Sequence, residues 1–313
     1  MRHFLFLILC LVASLGALAS AAAEGLHVVV TLPPLKGIVE PLLPAGSTVT
    51  VLMPPGRSEH NYEFTPADMA NVGGADLLFF VGLGLEPQIE KFAAASTGRR
   101  INQSVAEAAG VSAGPGETEH EHEHDEHAAA DGDEHEKECK HGVDPHVWLD
   151  PVLVRDALPA LADSVRRAME AAGIWNAGAK ERLEQALAAE TRKIDELNEE
   201  FVVGLKPFAG EKIVTHHAAF GRLAARYGLV IAEVIRVNEG EEPTPGRIAA
   251  IVKAVREEKV HVIFVEPQFS ASMAERVAAA AGVKVGKLDP LGDGDWFSLM
   301  RSNLAALIAG MKK

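Results

Sequence analysis

The sequence is poor in cysteine, and this limits how the folded chain can be stabilised. It has two cysteines among 313 residues, Cys10 and Cys139. Cys10 lies in an N-terminal apolar run that we expect to be removed on export, so the mature chain would keep one cysteine and could form no intramolecular disulfide. The fold must then rely on its hydrophobic core, for which an apolar content of 48% is ample.

Basic residues are scarce relative to acidic ones. The chain has 30 lysines and arginines against 44 aspartates and glutamates, which gives a formal net charge of −14. We expect no nucleic-acid partner, because phosphate binding needs a basic face. The acidity does not exclude cations, and the 13 histidines make metal ions the first class of ligand to consider.

Long apolar runs are lacking beyond the N-terminus. Arg2 precedes an apolar stretch over 4–18, which is followed by small residues with an Ala-x-Ala pattern at 17–19 and again at 21–23. This order is typical of a secretory signal peptide, and the stretch is short for a membrane span. We therefore expect a cleaved signal peptide over 1–23 and a periplasmic mature protein.

One segment carries most of the charge. Residues 117–141 contain eleven acidic residues, two lysines and six histidines, with no apolar periodicity. This composition predicts a disordered loop over 115–142. Imidazoles among carboxylates can capture metal ions weakly; the alternative is a solubilising spacer with incidental histidines. The six histidines are His120, His122, His124, His127, His135 and His141.

The rest of the chain alternates between short apolar or β-branched runs and helical stretches. Strands are predicted over 26–32, 48–53, 76–81 and 99–102, and again over 212–215, 229–234, 261–265 and 283–288. Thr65 and Asp150 are predicted to cap helices, and 179–203 has apolar residues at helical spacing. Strands separated by helices indicate parallel sheets.

The predicted fold class is therefore α/β, with two βα-type lobes joined by a long rigid helix. The N-terminal lobe is expected over 24–175, the linking helix over 176–203 and the C-terminal lobe over 204–313. A metal site is expected in the cleft between the lobes.

Four histidines are predicted to lie in turns, namely His60, His146, His216 and His217. Asp289 ends the last predicted strand. In open parallel sheets, ligands bind beyond the carboxyl ends of the strands, and these positions lie on that side or next to it. Three imidazoles with one carboxylate can complete a tetrahedral zinc site.

The order and spacing of several motifs resemble those of a known family. The sequence is similar to the solute-binding proteins of metal-uptake ABC transporters, in the zinc-binding branch with a His-rich loop. The resemblance covers essentially the whole mature chain. It is carried by residues 58–60, 81–86, the His-rich loop, 144–151, 217–221, 266–269 and 288–292.

The resemblance implies a ligand set. The family's ligand positions match His60, His146 and His217, with His217 favoured over its neighbour. The fourth ligand would be a carboxylate or water, which points to Asp289, with Glu59 as the alternative.

The resemblance also implies a function. The protein would bind zinc in the periplasm as a monomer and deliver it to a membrane permease driven by a cytoplasmic ATPase, without being an enzyme. Manganese or another divalent metal is the alternative cargo within the family. A zinc-dependent hydrolase, with Glu59 as general base, is the alternative from another class.

Overall fold

A computed structural model describes residues 25–112, 143–236 and 244–312 of the protein. The predicted signal peptide over 1–23 and the predicted His-rich loop over 115–142 lie outside the described residues. Within the described ranges, no helix is both long enough and apolar enough to cross a membrane.

The first sheet confirms the four strands predicted for the N-terminal half. All neighbouring strands pair in parallel, in the order β2-β1-β3-β4. The two central strands, β1 and β3, are rich in valine, leucine and phenylalanine and almost wholly buried, as expected where helices cover both faces of a parallel sheet. The strands are β1 His27–Val30, β2 Thr48–Val51, β3 Leu77–Phe80 and β4 Ile101–Ser104.

The second sheet repeats this topology in the C-terminal half. Its strands are parallel and follow the order β6-β5-β7-β8. The two sheets define an N-terminal and a C-terminal lobe of the same α/β design, which confirms the predicted fold class. The strands are β5 Lys212–Thr215, β6 Val230–Val234, β7 Val262–Val265 and β8 Lys284–Lys287.

Helices fill the connections between strands, and their first turns follow the predicted caps. Thr65 forms a capping box with Asp68, and Asp150 accepts hydrogen bonds from the backbone N–H groups of Val152 and Leu153. The helices are α1 Pro33–Val39, α2 Pro66–Gly73, α3 Pro87–Ala94, α4 Val105–Ala108, α5 Pro151–Ala171, α6 Ala177–Leu205, α7 Gly221–Arg226, α8 Pro245–Glu257, α9 Ser272–Ala281 and α10 Trp296–Met311.

Helix α6 is the long connecting helix predicted from the spacing of its apolar residues. It has 29 residues, so it is about 43 Å long at 1.5 Å per residue. It packs against α5 of the N-terminal lobe and against α10 of the C-terminal lobe. Its buried side chains include Leu183, Ile194, Leu197, Phe201 and Leu205.

The two lobes share a continuous apolar core in which two indole groups bridge the halves. Trp148 and Trp296 are both fully buried. The Nε1–H of Trp148 donates to the carbonyl of Pro290 at 2.7 Å, and the Nε1–H of Trp296 donates to the carbonyl of Trp148 at 2.7 Å. These bonds fix the segment around Trp148 to the C-terminal lobe.

Helix α1 lies so close to the start of α10 that only glycine fits at one position. A Cβ atom added to Gly37 would lie 2.6 Å from the carbonyl oxygen of Gly294 and 2.6 Å from the backbone nitrogen of Trp296. Both neighbours are backbone atoms, so the steric overlap can be removed only if the two lobes move apart.

We expect Gly37→Ala to lower the free energy of unfolding by about 1–3 kcal/mol, the usual cost of overpacking. Urea denaturation measures the change. Gly73→Ala is the matched control, because Gly73 is also helical and its added Cβ would meet nothing within 4 Å. That control should gain up to about 1 kcal/mol from the higher helix propensity of alanine. Equal effects of the two substitutions would contradict the close approach.

Candidate metal centre

Four side chains from both lobes bring their ligand atoms together at the cleft. They are Glu59, His60, His146 and His217, and one ligand atom from each lies within 4.8 Å of the others. Glu59, His146 and His217 are buried, and His60 is the exposed member of the group. These four residues are called the cleft cluster below.

The four residues lie in three loops that connect strands and helices. Glu59 and His60 lie in the loop that follows the carboxyl end of β2, and His217 follows the carboxyl end of β5. His146 precedes a 3-10 turn, Val147–Leu149, which leads into α5. Two of the three connections therefore follow the rule that ligands bind beyond the carboxyl ends of parallel strands.

Two buried histidines are oriented by carboxylates. Nδ1 of His146 lies 2.7 Å from Oδ1 of Asp144, which also accepts a 2.9 Å hydrogen bond from the backbone N–H of His146. Nδ1 of His217 lies 2.6 Å from Oε2 of Glu266, and its backbone N–H donates to Oε1 of Glu266 at 3.1 Å. A carboxylate only accepts, so each Nδ1 carries the proton.

This arrangement leaves an excess of acceptors at the centre of the cleft cluster. With protons on Nδ1, the neutral imidazoles of His146 and His217 direct Nε2 lone pairs at each other across 3.3 Å. Oε1 of Glu59 lies 3.5 Å from each of these nitrogens, and it is a buried atom without a hydrogen-bond partner among the described residues. Acceptors facing one another in a buried space need a proton or a metal ion between them.

Several separations within the cluster are close to those around a tetrahedral metal ion. A Zn–N bond length of about 2.0–2.1 Å implies about 3.3–3.4 Å between neighbouring ligand atoms of a tetrahedron. The Nε2 atoms of His60 and His146 are 3.3 Å apart, as are those of His217 and His146. The cluster therefore has the size and donor chemistry to hold an ion such as zinc.

The electrostatics of the cluster favour a cation. Burial by itself would raise the pKa of Glu59, but the two neighbouring imidazoles hold that pKa well below its ordinary value. Burial would likewise lower the pKa of His217, but Glu266 and Glu59 raise it well above the usual range. The pKa of His146 is raised by Asp144 and Glu59 against the effect of burial.

His60 behaves differently from the two buried histidines. Partial withdrawal of its ring from water and the charges of His146 and His217 outweigh the opposing effect of Glu59 and lower the pKa of His60 to about 4. His60 is thus a neutral imidazole near pH 7, which is the form that coordinates metal ions.

Two of the residues singled out in the sequence lie outside the cleft cluster. The ring of His216 stacks on Phe269 with a centroid distance of 4.6 Å and an interplanar angle of 5°. Asp289 uses Oδ1 to accept hydrogen bonds from Nε2 of Gln268 at 2.8 Å and from the backbone N–H groups of Leu291 and Gly292 at 3.0 and 3.1 Å. The structure brings together His60, His146 and His217 with Glu59, the alternative carboxylate.

The carboxylates that orient the histidines were not identified from the sequence. Asp144 lies two residues before His146, and this spacing is a local signal that could have been used. Glu266 follows strand β7, in a different part of the chain from His217. Only the parallel pairing of β5 with β7 makes these two residues neighbours.

The protein has two lobes with parallel sheets, joined by a long helix, and three histidines meet in the cleft between them. These features define a two-lobe binding protein with a candidate metal site. A family model described as "ZnuA: Zinc-uptake complex component A periplasmic" matches residues 28–310. The chain belongs to this family.

Individual relatives agree with this membership. The chain is 29% identical to the zinc-binding protein AdcA of Streptococcus pyogenes serotype M6, with 91% of this chain and 56% of the relative covered. It is 27% identical to the high-affinity zinc uptake system protein ZnuA of Bacillus subtilis strain 168, with 92% and 85% covered. A crystal structure of ZnuA superposes with a TM-score of 0.71 at 27% identity, covering 91% of this chain and 98% of that one. The chain spans about half the length of the AdcA proteins it matches.

We expect Glu266→Gln to lower the pKa of His217, because the substitution removes the negative charge next to Nδ1 and retains a hydrogen-bond acceptor. His217 would then lose its added proton at a lower pH than in the wild type. NMR titration of the imidazole in chelator-treated protein measures this change. Glu233→Gln is the control, since Glu233 pairs with Arg247 and should leave the pKa of His217 unaltered. An unchanged pKa in Glu266→Gln would contradict the assigned role of Glu266.

Proposed function

We propose that the protein captures a zinc ion outside the cytoplasm and delivers it to the membrane permease of an ABC transporter. In this proposal Glu59, His60, His146 and His217 are the four zinc ligands. The observation that carries it is the convergence of one carboxylate and three imidazoles, each with a ligand atom within 4.8 Å of the others, while Nδ1 of two of the imidazoles is bound to a carboxylate outside the cluster.

The donor set favours zinc over manganese. Three imidazole nitrogens with one carboxylate oxygen suit a borderline ion such as zinc, whereas manganese and magnesium prefer sites dominated by oxygen. The separations of 3.3 Å between imidazole nitrogens also suit a small tetrahedral ion. Another divalent metal remains the alternative cargo, since copper outranks zinc in intrinsic affinity for such ligands.

The same geometry favours a binding protein over a hydrolase. Catalytic zinc sites keep one coordination position open for water or substrate, and closed four-ligand sites do not. With Glu59 as a ligand the tetrahedron is complete, and this carboxylate is then committed to the metal and cannot act as a general base.

Delivery to a transporter is supported by the family, which is described as a component of a zinc-uptake complex. The partners would be a permease and its cytoplasmic ATPase, and the protein would act as a monomer. A cleaved signal peptide over 1–23 would place it in the periplasm. The net charge of −14 suits the capture of cations.

Zinc titration of ligand variants tests the proposed site. We expect His217→Ala and Glu59→Gln to weaken zinc binding by more than about 100-fold, because loss of an outer partner of a ligand already costs 10–100-fold. A competition assay with a chromophoric chelator measures the dissociation constants.

Two matched controls accompany these variants. His216→Ala removes the neighbouring histidine that stacks on Phe269, and Asp289→Asn removes the other candidate carboxylate. Both should retain tight binding of one zinc ion per chain. A result in which Asp289→Asn loses zinc and Glu59→Gln keeps it would assign the fourth position to Asp289.

We also propose that the histidines of the loop over 115–142, outside the described residues, form weaker and labile zinc sites. Deletion of 117–141 should remove additional sites of low affinity and leave the tight site intact, because none of the four proposed ligands lies in the deleted segment. Isothermal titration calorimetry would count both classes of site. Loss of the tight site on deletion would place its ligands in the loop.

A further inference from the structure

The segment that carries His146 is held at both ends by the opposite lobe. It runs from Asp144 to Asp150 and leads into α5 of the N-terminal lobe. Arg222 of α7 binds Asp144, and Arg226 of α7 binds Asp150. The two arginines, called the Arg clamp here, are four residues apart and thus lie on one face of the helix.

Arg222 binds the residue that orients His146. Its Nε–H donates to the carbonyl oxygen of Asp144 at 2.9 Å, and an Nη2–H donates to the same oxygen. The guanidinium also lies 3.9 Å from Oδ2 of Asp144, whose other carboxylate oxygen accepts from His146. The position of the His146 ring therefore depends on Asp144, and that of Asp144 depends on Arg222.

Arg226 binds the other end of the segment. Its Nε lies 2.5 and 2.7 Å from the two carboxylate oxygens of Asp150. Asp150 is 2% exposed and also caps α5. A buried carboxylate needs a partner charge, and Arg226 supplies it from across the cleft.

The Arg clamp is also connected to His217 of the cleft cluster through the chain. Helix α7 begins at Gly221, four residues after His217, and the intervening 3-10 turn, Ala218–Phe220, has Ala219 and Phe220 buried. Because only three residues separate His217 from α7, the position of His217 is closely tied to that of the helix. The same helix also holds the segment that carries His146.

We propose that Arg222 and Arg226 are positioning residues that set the separation of the His146 and His217 imidazoles before zinc binds. The inference rests on the proposed zinc site. Neither arginine touches the ion; each acts through an aspartate on the loop of His146. A tetrahedral site tolerates only a few tenths of an ångström in ligand position, so loosening the clamp reduces zinc affinity.

Holding the lobes together does not require the Arg clamp. Trp148 and Trp296 already bridge the lobes through buried hydrogen bonds, and the shared core continues on both sides. Replacing the arginines removes none of these groups, but loss of Arg226 leaves the buried Asp150 carboxylate without its partner charge, so the folded fraction of each variant is measured together with its zinc affinity. The contacts unique to the clamp are those that reach Asp144 and Asp150.

The test compares zinc binding by the wild type, the double variant Arg222→Met/Arg226→Met and its conservative counterpart Arg222→Lys/Arg226→Lys. Methionine keeps an unbranched apolar side chain and removes the donors. We expect the methionine pair to weaken zinc binding by about 10–100-fold, the usual effect of removing the support of a metal ligand. The lysine pair should recover part of the loss. Arg301→Met is the control, because Arg301 forms an exposed bidentate pair with Glu200 between α6 and α10.

A readout of geometry separates positioning from stability. Cobalt(II) placed in the site gives a visible spectrum that reports tetrahedral coordination, and we expect its intensity to fall in the methionine pair and to stay unchanged in Arg301→Met. Gly221→Ala adds a second, independent probe. Its Cβ would lie 3.3 Å from Oδ2 of Asp144, while alanine is the better helix former. The added Cβ should displace the Asp144 carboxylate and weaken zinc binding, while urea denaturation shows whether the variant remains folded.

The outcomes distinguish this inference from the proposed function. If the wild type binds zinc tightly, His217→Ala does not, and the methionine pair matches the wild type in affinity and cobalt spectrum, the Arg clamp has no positioning role. An affinity loss explained wholly by a smaller folded fraction would also overturn the inference. If the wild type fails to bind zinc, the proposed function is wrong.

Discussion

The bonds from Nδ1 of His146 to Asp144 and from Nδ1 of His217 to Glu266 determine the character of the cleft. They fix the tautomer of both rings and direct both Nε2 atoms inward. Without these carboxylates either ring could protonate on Nε2 alone and donate to Glu59, and the group would be an ordinary buried hydrogen-bond network. With them, the Nε2 atoms of both rings face Glu59 and one another, in an arrangement that suits a cation. The whole arrangement depends on two carboxylates, Asp144 and Glu266, that lie outside the cleft cluster.

The two-lobe architecture makes this arrangement possible at a cost in flexibility. The proposed ligands come from connections in both halves, so their relative positions depend on how firmly the halves are joined. Helix α6 packs on both lobes, and the indole hydrogen bonds of Trp148 and Trp296 cross between them within the core. Opening the lobes as rigid bodies would break buried contacts at several places. The fold therefore favours small, local rearrangements at the cleft over wide hinge motion.

The strands, the long helix and the predicted caps could all be read from the sequence, because periodicity and cap chemistry are local properties. The same holds for His60 and His217, which follow strands. The choice between Glu59 and Asp289 could not be made in this way. Both residues lie in connections near the cleft, and what separates them is tertiary: Asp289 has its Oδ1 occupied by Gln268 and two backbone N–H groups. Likewise no local pattern shows that Glu266 approaches His217, since strand pairing brings them together.

The charges of the cluster also bear on how an ion enters and leaves. In the absence of metal, protons are the cations that can satisfy Oε1 of Glu59, which lies 3.5 Å from Nε2 of His146 and of His217. The raised pKa values of these histidines show that the surrounding carboxylates favour such protons. A zinc ion that displaces two protons leaves the total charge of the buried cluster unchanged. The exchange of protons for zinc then needs no compensating movement of other charged groups. The buried carboxylates also keep positive partners throughout, and losing them would be strongly unfavourable in a site of low dielectric constant. Protonation and metal binding are thus alternative ways of satisfying one set of acceptors, and this lets a cluster of buried charges persist in the protein both with and without its ion.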